Sequence, residues 1–211
     1  MNKHHKGIFI TLEGIEGAGK STHAAYLADL LQQHGHKVLV TREPGGTAFG
    51  EQVRAILLQH NALNINAMSE LLLMFAARAQ HIAEIIRPAL AQGKTVICDR
   101  FTDSSYAYQG GGRKISFEHI RMLANLVHPQ LTPGLTLLFD VKAETGLARV
   151  KAIAKADRFE SENMDFFTAV RTSYLELAEA EPDRIKIINA DQGVDVIQTE
   201  IRQIMEDHNL W

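Results

Sequence analysis

A short glycine-rich segment near the start of the chain carries the clearest chemistry in the sequence. Residues 14–22 read G-I-E-G-A-G-K-S-T and satisfy the phosphate-loop pattern G-x-x-x-x-G-K-[ST]. In such a loop, backbone N–H groups point at phosphate oxygens, and the following helix directs its positive dipole end at the same place. Lys20 would reach the outer phosphates of a nucleoside triphosphate, and Ser21 would bind Mg²⁺. The predicted site consists of Gly14, Ile15, Glu16, Gly17, Ala18, Gly19, Lys20, Ser21 and Thr22.

Two other interpretations of this segment are weaker. A simple glycine-rich turn with a solvated lysine does not require a strand before it and a helix after it, and both are indicated here. A dinucleotide-binding loop keeps small residues where Lys20 and Ser21 stand. A phosphate loop alone nevertheless fits a kinase, a GTPase switch, a motor or an ATP-driven ligase, so other residues must decide among these classes.

Charged and aromatic residues at other predicted element ends suggest a second ligand. Arg42 follows the second strand-like run, and Asp99 and Arg100 follow the third. A guanidinium group binds a phosphate through two parallel hydrogen bonds, so both arginines suit a second phosphorylated molecule. Asp99 is predicted to hold a water ligand of Mg²⁺, although a carboxylate there could also cap a turn. Phe75 and Arg78 lie three residues apart on a predicted helix and so share a face, which offers a ring for stacking beside another cation.

An alternation of strand-like and helix-like segments would position these residues. Short runs that are apolar on consecutive residues are typical of strands buried on both faces, and they occur at 7–12, 37–41, 95–99, 135–140 and 184–189. Apolar residues three and four apart predict helices at 20–33, 50–58, 69–91 with a break at Pro88, 116–127, 144–154, 165–180 and 195–207. The predicted fold class is α/β, a three-layer architecture in which a five-stranded parallel sheet has helices on both faces. Ligands of such sheets bind at the carboxyl ends of the strands.

The composition fits one globular domain over residues 1–211. Apolar residues make up 45% of the chain, charged residues 22%, and the formal net charge is −3. This balance excludes disordered and disulfide-framework classes, and it offers no overall positive field for a nucleic acid polymer or an anionic membrane. No run approaches the roughly 20 apolar residues of a membrane span, and the single cysteine, Cys98, cannot form an intramolecular disulfide. We therefore expect a cytoplasmic protein.

Four segments, in this order along the chain, carry a family resemblance. They are E-G-I-E-G-A-G-K-S-T at 13–22, T-R-E-P-G-G-T at 41–47, L-L-M-F-A-A-R at 72–78, and D-R-F at 99–101 with A-Y-Q-G-G-G-R at 107–113. Together they resemble the thymidylate kinases of the bacterial type, which are phosphate-loop (P-loop) nucleoside monophosphate kinases. The resemblance implies Mg²⁺-dependent transfer of the γ-phosphoryl group of ATP to thymidine monophosphate (dTMP), which gives dTDP and ADP and supplies dTTP synthesis. It also implies a homodimer formed through helices.

The same resemblance assigns roles on the acceptor side of the site. Phe75 would stack on thymine, with Met74 as the neighbouring candidate, and Gln109 would hydrogen-bond the edge of the base. Glu16 would lie near the 3′-hydroxyl of deoxyribose, and Tyr108 would fill the space that a ribose 2′-hydroxyl needs. Arg42, Arg78 and Arg100 would contact the phosphate or the base. The implied substrate-binding residues are Glu16, Arg42, Phe75, Arg78, Arg100, Ser105, Tyr108 and Gln109.

Catalysis would rest on positioning and on charge cancellation. The acceptor phosphate is largely dianionic at neutral pH because its second pKa is about 6, so no general base is required. Cations would neutralise the charge that spreads over the transferred group. The expected catalytic residues are Glu16, Lys20, Arg100, Arg149 and Arg158.

A small mobile lid at about 149–163 is the expected source of an additional transition-state cation. Gly17 stands where some family members carry an arginine in the phosphate loop, and the apolar Ile153 stands at a lid position where we expect one. The candidates are Arg149, Lys151, Lys155 and Arg158, of which the two arginines are favoured for their bidentate forks. The same charges could also form only a solvated helix face.

Two function classes fit these observations. One is a nucleotide kinase, and the other is a phosphate-loop regulatory or assembly ATPase that binds a partner instead of a phosphorylated small molecule. Arg42, Arg100 and Gln109 favour the kinase, because a switch protein needs loops that sense a γ-phosphate but no second phosphate pocket with a base-reading amide. Another nucleoside monophosphate kinase is the closer rival.

Overall fold

A five-stranded parallel sheet forms the centre of the protein, which a computed structural model describes over residues 7–59, 64–151 and 158–210. The strands β1 (Phe9–Glu13), β2 (Val38–Arg42), β3 (Thr95–Asp99), β4 (Leu135–Asp140) and β5 (Ile185–Asn189) follow the order β2-β3-β1-β4-β5. In the central strand β1, Ile10 pairs with Ile97 of β3 on one side and with Leu135 of β4 on the other. All five residues of β1 are buried, as expected for a strand covered on both faces.

Helices connect successive strands. Their bounds are α1 (Lys20–Gln33), α2 (Ala48–Leu58), α3 (Ala67–His81), α4 (Arg87–Ala91), α5 (Thr102–Ser105), α6 (Phe117–Val127), α7 (Ala143–Lys151), α8 (Met164–Ala180) and α9 (Val194–Asp207). Two π-helical turns, Ile82–Ile86 and Tyr106–Gly112, follow α3 and α5 directly. The side-chain oxygens of Thr47, Asn66 and Asn163 cap α2, α3 and α8 by accepting from the N–H group three residues further on.

The core lies on both sides of the sheet. Ile10 of β1 packs in a cluster with Leu27 of α1, whereas the adjacent Phe9 packs in a second cluster with Ile86 and Phe101. Neighbouring side chains of a strand point to opposite faces, so these two clusters correspond to the two helical layers. Within the described ranges, no helix is both long and apolar enough to cross a membrane.

The predicted fold class is confirmed, and the five strands lie within two residues of their predicted bounds. The predicted break at Pro88 is wrong. The chain stays helical there because Pro88 lies in the first turn of α4, where a missing N–H group costs little. The helical turns over residues 102–112 were not predicted, because this polar and glycine-rich segment has no apolar period of three to four residues. The predicted helix 144–154 corresponds to α7, and its residues 152–154 lie outside the described ranges.

The connections after three strands meet at one edge of the sheet. Residues 14–19 lie between the end of β1 and the start of α1, Arg42 ends β2, and Asp99 ends β3. Because the strands are parallel and adjacent, their carboxyl ends share one side of the molecule. The fold therefore places the phosphate loop beside both strand-end arginines.

Candidate active site

A cavity of about 560 Å³ opens at the carboxyl ends of β1, β2 and β3. Its wall combines the phosphate loop, the ends of β2 and β3, one face of α3 and the π-helical turn after α5. The predicted polar residues that line it are Glu16, Lys20, Ser21, Thr22, Arg42, Arg78, Asp99, Arg100, Ser105, Tyr108 and Gln109. Gly17 and Gly19 line it as well, and Ile15 and Ala18 are buried within the loop. One cavity therefore brings together the two groups of residues that the sequence suggested separately.

Lys20 points back into the curl of the phosphate loop. Its Nζ donates to the carbonyl oxygens of Gly14 at 3.0 Å and Ile15 at 2.9 Å. Burial and the nearby charge of Arg100 lower the pKa of Lys20 from 10.5 to about 8. The loop thus holds an ammonium group that an incoming anion would stabilise.

Ser21 and Asp99 form a second polar pair at the mouth of the loop. The Ser21 hydroxyl donates to Asp99 Oδ2 at 3.3 Å. The other carboxylate oxygen, Oδ1, is buried and has no hydrogen-bond partner among the described residues. A hydroxyl beside an unpaired, buried carboxylate oxygen is a donor set that suits Mg²⁺, which prefers oxygen ligands and keeps several waters.

Arg100 is the centre of a network on the floor of the cavity. Its backbone has a φ of 71°, an uncommon left-handed conformation for a residue other than glycine. Nη1 donates to the Gly14 carbonyl at 2.9 Å, and Nη2 donates to Glu16 Oε1 and to the Tyr108 hydroxyl, both at 3.0 Å. Tyr108 in turn donates to Glu16 Oε2 at 2.6 Å, and burial raises the pKa of its phenol well above the usual value. The three side chains therefore hold one another in place beside the loop.

Arg78 is a buried cation whose guanidinium group is held from several sides. Nε donates to Glu43 Oε2 at 2.7 Å, Nη1 donates to Ser105 Oγ at 3.1 Å, and Nη2 donates to the Phe101 carbonyl at 3.1 Å. Glu43 also accepts a contact from His81 Nδ1 at 2.9 Å. This support fixes the orientation of Arg78 toward the cavity.

Arg42, in contrast, lies at the open side of the cavity. Its side chain is about half exposed, and it forms an ion pair with Glu51 at 3.0 Å. Glu51 is itself oriented by the Gly46 N–H group, which donates to it at 3.0 Å. Arg42 is thus available at the rim, where it can exchange Glu51 for a more strongly charged phosphate.

The structure corrects the placement of Phe75. Its ring is buried against Leu71 and Ile120 and does not line the cavity, whereas Met74 does. Residues three and four apart on an α-helix both lie near one face, and successive residues point about 100° apart, so Met74 and Phe75 lie on either side of Arg78 along that face. Phe75 also lies beside Arg78, whose guanidinium carbon is 4.6 Å from the centre of the ring, but of these two side chains only Met74 lines the cavity.

The two lid arginines do not line the cavity in the described part of the chain. Arg149 Nη1 donates to the carbonyl oxygens of Gly17 at 3.3 Å and Ala190 at 3.0 Å. Arg158 Nε donates to the Leu57 carbonyl at 2.7 Å. Val150, Phe159 and Glu160 line the cavity instead. The candidate Lys155 and the apolar lid residue Ile153 lie outside the described residues, as does the side chain of the candidate Lys151.

Glu13 is a fully buried residue beside the site that the sequence did not single out. Its buried carboxylate accepts from the Phe101 N–H group at 2.7 Å, from Ser104 Oγ at 2.6 Å and from the Tyr174 hydroxyl at 2.8 Å. Burial, together with the charge of Asp103, raises the pKa of Glu13 from 4.5 to about 7. The predicted strand ended at residue 12, so Glu13 was assigned neither to the core nor to the site, and only its position directly before the loop pointed to the site.

Comparisons with known proteins agree on one family. A family model described as thymidylate kinase matches residues 12–201. A curated thymidylate kinase from Pseudomonas putida is 53% identical over 199 residues, which cover 94% of this chain and 95% of the relative. One from Pseudomonas syringae pv. tomato is 52% identical, with coverages of 95% and 96%. The crystal structure of thymidylate kinase from Ehrlichia chaffeensis matches with a TM-score of 0.77 and 35% identity, over 94% of this chain and 98% of that one.

Proposed function

The chain belongs to the thymidylate kinase family, and from this premise we propose how its residues carry out phosphoryl transfer to dTMP, the reaction of this family. The observation that carries the proposal is the single cavity that joins a phosphate loop to a second set of cations. ATP, the phosphoryl donor, would occupy the loop side. dTMP would occupy the side formed by α3 and the π-helical turn after α5.

On the donor side, Lys20 and the loop N–H groups bind the phosphates of ATP. The buried ammonium of Lys20 exchanges its two carbonyl partners for phosphate oxygens, which carry more charge. Ser21 and Asp99 would hold Mg²⁺, which when bound neutralises charge on the phosphates. The unpaired Oδ1 of Asp99 supports this assignment.

On the acceptor side, the arginines orient the phosphate of dTMP as nucleophile. Arg78 enters from α3, Arg42 from the rim and Arg100 from the floor of the cavity. The phosphate is already largely ionised at neutral pH, so no side chain has to remove a proton. Binding the reacting oxygen in line with the γ-phosphoryl group is then the main task of the protein.

The nucleoside part of dTMP is recognised by four side chains. Met74 packs against the base in place of Phe75, and Gln109 faces the edge of the base. Glu16 and Tyr108, joined by their hydrogen bond of 2.6 Å, lie along the sugar. The phenol ring of Tyr108 leaves no room for a 2′-hydroxyl, which favours a deoxyribose.

An additional cation for the transition state comes from the lid at about 149–163. Arg149 supports this proposal, because it already contacts the Gly17 carbonyl of the phosphate loop. Small movements of α7 would exchange that carbonyl for the oxygens of the transferred group. Added arginines of this kind contribute roughly 10³ to 10⁵ in rate in comparable systems.

The remaining proposals concern the molecule as a whole. We place the lid within a single kinase domain over residues 1–211. The buried thiol of Cys98 needs no oxidising compartment, which supports a cytoplasmic enzyme. Exposed apolar side chains on α2, α3 and α6 support a homodimer. The net charge of −3 supports small-molecule substrates rather than a nucleic acid polymer.

The test is a coupled assay of ADP release with dTMP and a panel of other nucleoside monophosphates. We expect dTMP to give the highest kcat/KM, and Lys20→Ala to lower it at least 100-fold with an unchanged melting temperature. Lys37→Ala is the matched control, because Lys37 is an exposed lysine at the opposite edge of the sheet. Activity of Lys20→Ala above about one per cent of the parent would contradict the proposed role of the loop.

A further inference from the structure

A fully buried carboxylate stands directly behind Gln109. Glu70 lies in the first turn of α3, and its side chain has no exposed surface. The Gln109 Nε2 donates to Glu70 Oε1 at 2.8 Å, while Gln109 itself lines the cavity. Glu70, Met74 and Arg78 are spaced by four residues, so one face of α3 carries all three.

The chemistry of this pair determines which way the Gln109 amide points. An ionised carboxylate only accepts hydrogen bonds, so only the NH₂ group of the amide can face Glu70. The amide carbonyl is then turned away from Glu70. Reversing the amide would bring its oxygen against a carboxylate oxygen inside the protein, which is costly.

Two guanidinium groups hold the carboxylate in its place. Arg113 Nε lies 3.3 Å and 3.2 Å from the two oxygens of Glu70, and Arg158 Nη2 lies 2.7 Å from Oε2. A guanidinium group carries only donors, so neither arginine can accept a hydrogen bond from the Gln109 amide in place of Glu70. The Glu70 carboxylate therefore serves Gln109 and both arginines together.

We propose that Glu70 is a positioning residue for base specificity, because it makes Gln109 present a hydrogen-bond acceptor to the base. This inference deepens the proposed function and rests on the proposal that Gln109 faces the base. A base with an N–H group at position 3, such as thymine, meets this acceptor favourably. A cytosine-type base carries a lone pair at position 3 and would be rejected, since two acceptors would face each other away from water.

The same carboxylate also links the base site to the segment after the undescribed part of the lid. Arg158 begins this segment, and Arg113 forms a further ion pair with Glu162 at 2.5 Å. The guanidinium carbons of Arg113 and Arg158 lie 5.7 Å and 4.4 Å from the centre of the Phe159 ring, which lines the cavity. The Glu70 carboxylate therefore contacts both Gln109 and the two arginines that pack on the Phe159 wall of the cavity.

The test compares two substrates that differ only at the edge of the base. The monophosphates dTMP and 5-methyl-dCMP share the methyl group and the sugar, but they have opposite hydrogen-bonding character at positions 3 and 4. In Glu70→Gln, the oxygen of the new amide at position 70 is attracted to the two arginines, so the NH₂ group of this amide faces Gln109. The Gln109 amide then has to turn over, so that its own oxygen accepts from that NH₂ group. We expect the ratio of kcat/KM for dTMP to that for 5-methyl-dCMP to fall at least tenfold.

Three further variants separate a positioning role from a structural one. Gln109→Ala should lower the ratio by itself, and Glu70→Gln should then change it no further, because the two residues act through one amide. Glu162→Gln is the matched control, since it removes a partner of Arg113 without touching Gln109, and it should leave the ratio unchanged. If Glu70→Gln does not fold, the comparison is made with Arg113→Met added, which removes one of the two cations that faced the lost charge.

The outcomes distinguish the two levels of the proposal. If Glu70→Gln lowers kcat/KM equally for both substrates, the role of Glu70 is purely structural and the inference about Glu70 is overturned. An unchanged ratio in Gln109→Ala would instead overturn the assignment of Gln109 to the base, and with it the inference. The dTMP kinase activity of the parent is measured in the same series. A parent without this activity would contradict the proposed function itself, which is a different result from an unchanged ratio in the variants.

Discussion

At the scale of single residues, Lys20 couples ligand binding to a proton. Burial beside Arg100 lowers the pKa of its ammonium to about 8 in the free protein. A bound triphosphate brings opposite charge to the ammonium and raises that pKa again. Between the two pKa values, the complex therefore holds a proton that the free protein has lost.

We expect ATP binding to take up roughly three quarters of a proton at a pH of about 8.5 and only about a tenth near pH 7, where Lys20 is mostly charged in both states. Titration calorimetry in buffers of different ionisation enthalpy measures this uptake. Glu13, with a pKa of about 7, is already mostly ionised at the higher pH. In Lys20→Arg the cation cannot lose its proton, so the uptake should disappear. The same uptake in that variant would contradict the assignment to Lys20.

The residues of the site differ in how well the sequence predicts them. The phosphate loop depends on local spacing, and strand-end residues such as Arg42 and Asp99 follow from the rule that ligands of a parallel sheet bind at the carboxyl ends of its strands, so both were predicted. Glu13 and Glu70 were not, because a buried carboxylate is defined by partners that are distant in sequence. Phe75 was assigned to the cavity because it lies three residues before Arg78. A residue three positions away and one four positions away are both compatible with the same helix face, so the sequence could not choose between Phe75 and Met74.

At the scale of elements, α7 and the segment beginning at Arg158 make different contacts with the site. Arg149 of α7 touches the phosphate loop at the Gly17 carbonyl, whereas Arg158 touches Glu70 behind the Gln109 amide. The sequence placed both arginines in one lid and could not separate them, because they are only nine residues apart. Their partners assign them to the two ends of the cavity.

We therefore expect the two alanine variants to have different kinetic effects. Arg149→Ala should lower kcat at least tenfold with little change in the KM for dTMP, the signature of a contact made chiefly in the transition state. Arg158→Ala should mainly raise the KM for dTMP, because it loosens Glu70. Arg202→Ala, an exposed arginine on α9, is the control for loss of charge. A kcat of Arg149→Ala within twofold of the parent would exclude α7 as the source of the cation.

At the scale of the whole molecule, exposed apolar side chains gather on three neighbouring helices. Phe49 of α2, Leu72 of α3, and Met122 and Leu126 of α6 are 45%, 49%, 55% and 79% exposed. α3 packs against both α2 and α6, so the helices that carry these side chains are direct neighbours. The apolar pattern of these helices was visible in the sequence, but the sheet order that brings them together was not.

We expect Leu126→Glu to convert a dimer into a monomer at micromolar concentration, because the charge would be buried in the interface. Sedimentation velocity checks this result. Val196→Glu is the matched control, since Val196 is 51% exposed on α9 and should leave the dimer intact. A parent protein that sediments only as a 23.5 kDa species would contradict the proposed homodimer.

The contact between the phosphate loop and α7 also limits how this enzyme can evolve. Gly17 has a φ of 73°, and a Cβ atom placed on it would lie 2.1 Å from the carbonyl oxygen of Gly146. An arginine at position 17 would therefore require α7 to move away from the loop, and with it Arg149. On this backbone, an arginine at position 17 and the present contact between Arg149 and the loop therefore exclude each other. Descendants of this sequence could exchange one for the other only by changing the loop and the helix together.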